Sequence, residues 1–151
     1  MASTAVGVTI HRPPEDVFAI LTDPTLSPKW SANAVKGELI TPGPPGIGSR
    51  RRAVVKSPLG RGTTESVMEI TALEPKRMVA LKLVESPIAG DARTRYTLTP
   101  VGNGSTQLEW TWEMQLTGPL RLIERPLVAL FGRGFQRDLA NLKRMMESNH
   151  L

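Results

Sequence analysis

The sequence predicts an α+β domain in which one curved antiparallel sheet closes around a long C-terminal helix. Three observations lead there. Residues 107–116 alternate strictly, with Leu108, Trp110, Trp112, Met114 and Leu116 on one side and Gln107, Glu109, Thr111, Glu113 and Gln115 on the other. That is a strand with one dry and one wet face. Turn signals recur at roughly 10 to 17 residues, as in strands joined by hairpins. They are Thr41 to Gly48, Ser57-Pro58-Leu59-Gly60, Glu74-Pro75, Ser86-Pro87 to Gly90, and Gly102-Asn103-Gly104. The stretch after Gly118-Pro119 carries apolar residues at steps of three and four, the spacing of an amphipathic helix.

Taken in order, Val6, Val8 and Ile10 read as a short strand that stops at Arg12-Pro13-Pro14. Pro13-Pro14-Glu15-Asp16 supplies the fixed φ and the acids that suit a helix first turn, and Val17, Phe18, Ile20 and Leu21 follow at helical spacing. Asp23-Pro24 ends this helix, with Asp23 expected to cap a turn. A second short helix carries Leu26 and Trp30. In the next strands Arg51, Ala53 and Val55 face opposite to Arg50, Arg52, Val54 and Lys56, and Thr64, Ser66, Met68, Ile70 and Ala72 share one face against Glu65 and Glu69. Val79, Leu81 and Leu83 alternate with Ala80 and Lys82, and Tyr96 and Leu98 with Arg93, Arg95 and Thr97. In the terminal helix Leu120, Ile123, Leu127, Leu130 and Gly134, together with Val128, Phe131, Phe135, Leu139, Leu142 and Met146, form a wide apolar stripe. Pro126 is expected to kink it, and Gly132 and Gly134 point to close packing or a bend. The order is strand, two short helices, six antiparallel strands and one long helix, a single domain over residues 1–151. One sheet curved around one helix buries both apolar faces.

Composition excludes several kinds of chemistry. At 151 residues, 40% hydrophobic and 22% charged, the chain has the make-up of one globular domain. The absence of cysteine removes disulfides, thiol nucleophiles and Cys-ligated metals, and His11 and His150 alone cannot build a multi-histidine site. No metal and no cofactor are expected. No apolar run reaches the roughly 18 residues of a membrane span, and Met1 to Gly7 lacks signal-peptide character, so a cytoplasmic location is expected. Nineteen Lys and Arg against fourteen Asp and Glu give +5. Nucleic acid is not an expected partner, because the aromatics fall on buried faces and the terminal helix interleaves Glu124, Asp138 and Glu147 with its bases. Loose contact with anionic membranes is compatible with the charge. Monomer and homodimer both remain open.

Ile10-His11-Arg12-Pro13-Pro14-Glu15-Asp16-Val17-Phe18, followed by Leu21-Thr22-Asp23-Pro24 and Pro28-Lys29-Trp30, resembles the N-terminal signature of the START-like (SRPBCC) superfamily of polyketide cyclase/dehydrase and lipid-transport proteins. Pro42-Gly43-Pro44 to Gly48-Ser49-Arg50, Leu73-Glu74-Pro75-Lys76-Arg77, and the helix after Leu116-Thr117-Gly118-Pro119 extend the resemblance over nearly the whole chain. It implies a helix-grip fold, a seven-stranded antiparallel sheet holding the C-terminal helix over a hydrophobic cavity. It does not specify function, because the superfamily hosts carriers, receptors and cyclases alike.

The alternation turns Thr64, Ser66, Met68, Val79, Leu81, Tyr96, Leu98, Trp110, Trp112 and Met114 toward Phe131 and Phe135. This is the composition of a small-molecule pocket and equally of a packed core. The leading expectation is a carrier or sensor for a small hydrophobic or amphipathic ligand, lipid-like or polyketide-like. Trp30, Arg51, Ser66, Met68, Leu81, Tyr96, Trp110, Trp112, Phe131 and Phe135 would be its binding residues. Arg50, Arg51, Arg52, Lys56 and Arg61 form a basic run without an acid. An inward Arg51 can hold a carboxylate or enolate, and a solvated strand end is the alternative. The second expectation is an aromatase/cyclase acting in the same cavity. No catalytic motif is present, and Arg51, Arg95, Tyr96 and Ser66 are the available groups, with Arg95 pointing away from Tyr96 by alternation. A third is an interaction domain offering its basic strand end to an acidic partner.

Overall fold

The computed structural model describes residues 2–56, 62–86 and 90–148. The turn signals at 57–60 and 87–89, together with Arg61 and His150, lie outside the described residues. The elements follow the expected order. They are β1 (Ala2–Ile10), α1 (Pro14–Leu21), a 3-10 turn (Pro24–Leu26), α2 (Ser27–Trp30), β2 (Ala34–Leu39), β3 (Arg50–Lys56), β4 (Thr63–Glu74), β5 (Met78–Glu85), β6 (Gly90–Val101) and β7 (Ser105–Leu116). A second 3-10 turn (Gly118–Ile123) then leads into α3 (Glu124–Glu147). All seven strands form one antiparallel sheet in the order β1-β7-β6-β5-β4-β3-β2. This is the helix-grip arrangement.

Local chemistry accounts for the boundaries. α1 starts on Pro14 with Glu15 and Asp16 in its first turn, where acids meet the positive end of the helix dipole. Asp23 caps the first 3-10 turn as expected, accepting from the Thr25 N–H at 3.1 Å. β1 runs four residues further toward the N-terminus than the apolar triplet Val6, Val8 and Ile10 announces. It pairs along its whole length with β7, from Ala2 opposite Met114 to Ile10 opposite Thr106. The register shifts between Val67 and Met68 and between Ile70 and Ala72, bulges of the kind that bend a sheet.

Two expectations about local geometry are corrected by the structure. Ala72 does not share the face of Ile70. The extra residue before it puts Ala72 opposite Ala80 and turns Leu73 inward opposite Val79, where Leu73 packs on the core. Pro126 does not kink the terminal helix either. α3 begins at Glu124, so Pro126 sits in the first turn, where the missing N–H has no intrahelical acceptor to lose. The break falls instead at the 3-10 turn, which starts at Gly118 with φ 64°.

The core lies between the concave sheet face and the helices. Ile10, Val17, Leu81, Leu108, Leu139, Leu142 and Met146 are fully buried. A second group, Met114, Leu116, Leu127 and Val128, continues it along the first half of α3. Of the predicted apolar stripe, Leu130 and Ile123 do not reach this core and face outward. α3 also covers the free edge of β1, with Gln136 donating to the Gly7 carbonyl at 3.1 Å and Lys143 to the Thr9 carbonyl at 2.7 Å. Edge carbonyls that would otherwise invite another strand are thereby occupied.

Candidate functional site

The inner face of β6 and β7, the end of α2 and one side of α3 bring six aromatic rings into a continuous wall. Tyr96 and Trp110 are direct cross-strand partners, with ring centroids 5.1 Å apart. Trp110 also meets Trp30 of α2 edge-on at 5.9 Å and stacks on Phe135 of α3 at 3.9 Å. Trp112, two residues on and therefore on the same face, contacts Phe135 at 5.6 Å and Phe131 at 6.0 Å. Leu81 is fully buried beneath this wall, and Met68 packs against its margin. Between Trp110 and Phe135 the interior is closed, since the stacking distance leaves no room for a third layer. A ligand has to lie beside that stack or displace Phe135.

The three indole N–H groups differ. That of Trp110 donates to Thr94 Oγ1 at 2.7 Å, and the Thr94 hydroxyl in turn donates to the Thr111 carbonyl at 2.9 Å. Those of Trp30 and Trp112 are buried and meet no acceptor among the described residues. An orphaned buried donor costs about 1–3 kcal/mol, so each marks a place where an acceptor would be welcome. Thr94 was legible in the alternation of β6, standing two residues before Tyr96, but its partner lies on the neighbouring strand.

Arg51 is the inward member of the basic run. It lies opposite Met68 on β4 and Leu39 on β2, and its guanidinium donates to the Leu21 carbonyl at 3.2 Å. That carbonyl is the last of α1, at the negative end of the helix dipole. No ion pair neutralises Arg51 among the described residues. Burial lowers its pKa, and the neighbouring Tyr96 opposes that shift. Burial pushes the Tyr96 phenol up to about 12, against the pull of Arg51. The two side chains therefore sense one another across the interior. Arg50 and Arg52 point outward and are matched from adjacent strands, Arg50 by Glu69 at 3.1 Å and Arg52 by Glu38 at 2.6 Å and Glu65 at 2.5 Å. Two of the five bases of the run that is free of acids in sequence are thus matched in space.

Ser66 shares the face of Met68, toward the end of the sheet region that β5 covers. It lies opposite Ala53, and the Val67–Glu85 pair already marks the end of β5, so Ser66 sits beyond that strand. Arg95 is on the outer face opposite Ala80 and Thr111. Of the four polar groups considered for catalysis, Arg51 and Tyr96 are the two that interact across the interior. His11 is exposed and interacts with Ser105 Oγ at 3.2 Å. Among the described residues no cluster of histidines and carboxylates could hold a metal ion, and no helix is long and apolar enough to cross a membrane.

Sequence reasoning missed Asp138. Placed among the bases of the terminal helix, it reads as a surface acid. In the structure it is buried, accepting from Ser31 Oγ at 2.8 Å and the Ala32 N–H at 3.0 Å. It fastens α3 to the segment that presents Trp30. Burial raises its pKa, opposed by those two hydrogen bonds. Glu124 is likewise turned inward, accepting from the Leu116 N–H at 2.6 Å, and that bond holds its carboxyl below the usual range.

A family model described as polyketide cyclase/dehydrase and lipid transport matches residues 1–147. An uncharacterised protein of Mycobacterium tuberculosis is 30% identical over 131 residues, covering 83% of this chain and 75% of its own. Among solved structures, a START superfamily protein from Mycobacterium smegmatis superposes with a TM-score of 0.76 at 15% identity, over 95% of this chain and 98% of the other. The Zhui aromatase/cyclase from Streptomyces sp. R1128 gives 0.77 at 20% identity, over 99% and 96%. A protein from Thermus thermophilus gives 0.79 at 17%, over 98% and 99%. At these identities the structural likeness is one of fold.

Proposed function

Because the chain belongs to the polyketide cyclase/dehydrase and lipid-transport family, we propose that it binds a small hydrophobic or amphipathic molecule between the sheet and α3, as a carrier or sensor. The observation that carries this reading is the pair of buried, unpartnered indole N–H groups of Trp30 and Trp112 in an aromatic wall. A purely structural core gains nothing from two orphaned donors, whereas a ligand with acceptor oxygens on an apolar body satisfies both and buries its own surface. Arg51, with one hydrogen bond to the Leu21 carbonyl, supplies a charged donor for a polar end. Burial at about 25 cal/mol per Å2 of apolar surface provides ample gross driving force for micromolar affinity.

All three tryptophans border this interior, so their fluorescence reports directly on its occupancy. A screen of fatty acids, sterols and aromatic polyketides should give a saturable emission change with one of these classes. Mass spectrometry of the protein purified under native conditions should then find that class copurifying. Silence across all three, with nothing copurifying, removes the reading.

A second reading rests on the Arg51–Tyr96 proximity. A phenol with its pKa near 12 stays protonated at neutral pH and acts as a hydrogen-bond donor to a ketone, while the guanidinium stabilises the enolate left when the acidic methylene between two ketones gives its proton to water. This is chemistry a poly-β-ketone cyclase needs. It predicts turnover of such a substrate and its loss in Arg51→Ala and in Tyr96→Phe. Full rates in both variants would exclude these residues from the chemistry.

A further inference from the structure

The outer face of the 3-10 turn and of the first half of α3 is unlike the rest of the surface. Leu122 is 87% exposed and Leu130 54%, with Ile123, Pro126 and Ala129 also on the outside. In α3, residues 126 and 130 step by four and lie on one face, as do 125, 129, 133 and 137 beside them, and Leu122 projects from the 3-10 turn just before. Four arginines, Arg121, Arg125, Arg133 and Arg137, are exposed there. None of the four is in an ion pair among the described residues. Of the acids that interleave with these bases in the sequence, Glu124 reaches only the border of this face and Asp138 is buried away from it. Glu124 is turned under it toward the Leu116 N–H, and Asp138 is buried against Ser31 and Ala32. What the sequence presents as a mixed-charge helix is folded into a predominantly cationic surface with aliphatic side chains between its charges, Glu124 bordering it beside Arg121 and Arg125.

We propose that this face docks on an anionic lipid surface. The charge is complementary to acidic headgroups, and the aliphatic residues are what a bilayer boundary accepts. A hollow of about 490 Å3 lies between Arg121, Arg125 and Leu122, bordered by Gln115, Gly118 and Glu124, and offers room for a headgroup phosphate. Nucleic acid fits less well. Its single strands are held by exposed aromatics, and here the rings line the interior while the exposed apolar groups are leucine and isoleucine. The helix need not unfold to dock, because its opposite side is anchored by Leu127, Val128 and Leu139. This inference stands whether or not the interior takes a ligand.

The test is cosedimentation of the full chain with vesicles of phosphatidylcholine alone and of phosphatidylcholine mixed equally with phosphatidylglycerol. Binding is expected on the mixed vesicles, with at most a tenth of that affinity on the neutral ones, and it should weaken as salt rises from about 0.05 M to about 0.5 M. Arg121→Gln with Arg125→Gln should weaken it by about 25-fold, at roughly five-fold per arginine. Leu122→Ser with Leu130→Ser should weaken it by about ten-fold or more while leaving the salt dependence in place. All four positions are exposed, and unchanged circular dichroism would show that the variants keep their fold. Equal binding to both vesicles, no binding to the mixed vesicles, or indifference to the arginine pair overturns the proposal. So does an unaltered leucine variant together with tighter binding to a DNA duplex or single strand, which would make this a nucleic-acid face.

Discussion

The indole N–H of Trp110 is donated to Thr94 at 2.7 Å, whereas that of Trp112, two residues on, finds no acceptor. Thr94→Val keeps the shape and removes the acceptor, so it should orphan a second buried donor on the same strand. The expected loss is about 1–3 kcal/mol in urea unfolding, and an unchanged midpoint would mean that Trp110 is satisfied some other way. Asp138 and Glu147 give opposite pH signatures. The folded pKa of Asp138 is raised above its ordinary 3.8, so its contribution favours folding below that value and is lost as pH rises through the raised one. Asp138→Asn should therefore gain on the wild type as pH rises across this window, as read by urea midpoints at successive pH values. Glu147, bonded to Lys143 and to the His11 N–H, is lowered below 4.5. Its contribution is present above 4.5 and lost as pH falls, and Glu147→Gln should lag the wild type at neutral pH and converge with it in acid. Arg51 could be read as inward from alternation alone, because a strand's period is set by its own backbone. Asp138 and Glu124 could not, since the N–H groups that hold them belong to Ala32 and Leu116 and only the folded chain brings them near.

At the scale of elements, α3 contains two glycines that resemble each other in sequence and differ in surroundings. A Cβ at Gly132 would stand 2.5 Å from Thr4 Oγ1, with the rest of Thr4 close behind, whereas at Gly134 the nearest atom is Asn33 Nδ2 at 4.0 Å. Gly132→Ala should push α3 off β1 and cost about 1–3 kcal/mol. Gly134→Ala should raise stability by about 0.5–1 kcal/mol through helix propensity alone. Thermal denaturation of the two variants should move the midpoint in opposite directions, and a common direction would refute the assignment. Spacing announced both glycines as sites of packing or bending. It could not tell them apart, because only one faces a strand that lies more than a hundred residues away in sequence. The same limit explains Ala72 and Pro126. Alternation presumes an unbroken register, which the bulge before Ala72 interrupts, and a proline's effect depends on which turn of the helix it occupies.

For the whole molecule, one strand with ten alternating residues, regularly spaced turns and a terminal apolar stripe leave few ways to bury all the apolar surface, and the helix grip follows. Whether the grip encloses a hollow was less legible. Whether that space is open depends on the rotamers of Phe135 and Trp110, whose 3.9 Å stack is a matter of packing rather than of pattern. Deleting residues 2–10 should abolish the cooperative thermal transition seen by circular dichroism, because β1 hydrogen-bonds β7 and receives α3. A retained transition would show that the other six strands suffice. The β1–β7 pairing also bears on how the chain is made. Within this domain β1 is translated before the other six strands and its partner β7 after them, so β1 must wait unpaired until the rest of the sheet has been made. Its sparing use of large apolar residues, ASTAVGVTI, suits a segment that has to stay unattached for so long without sticking to its neighbours on a polysome.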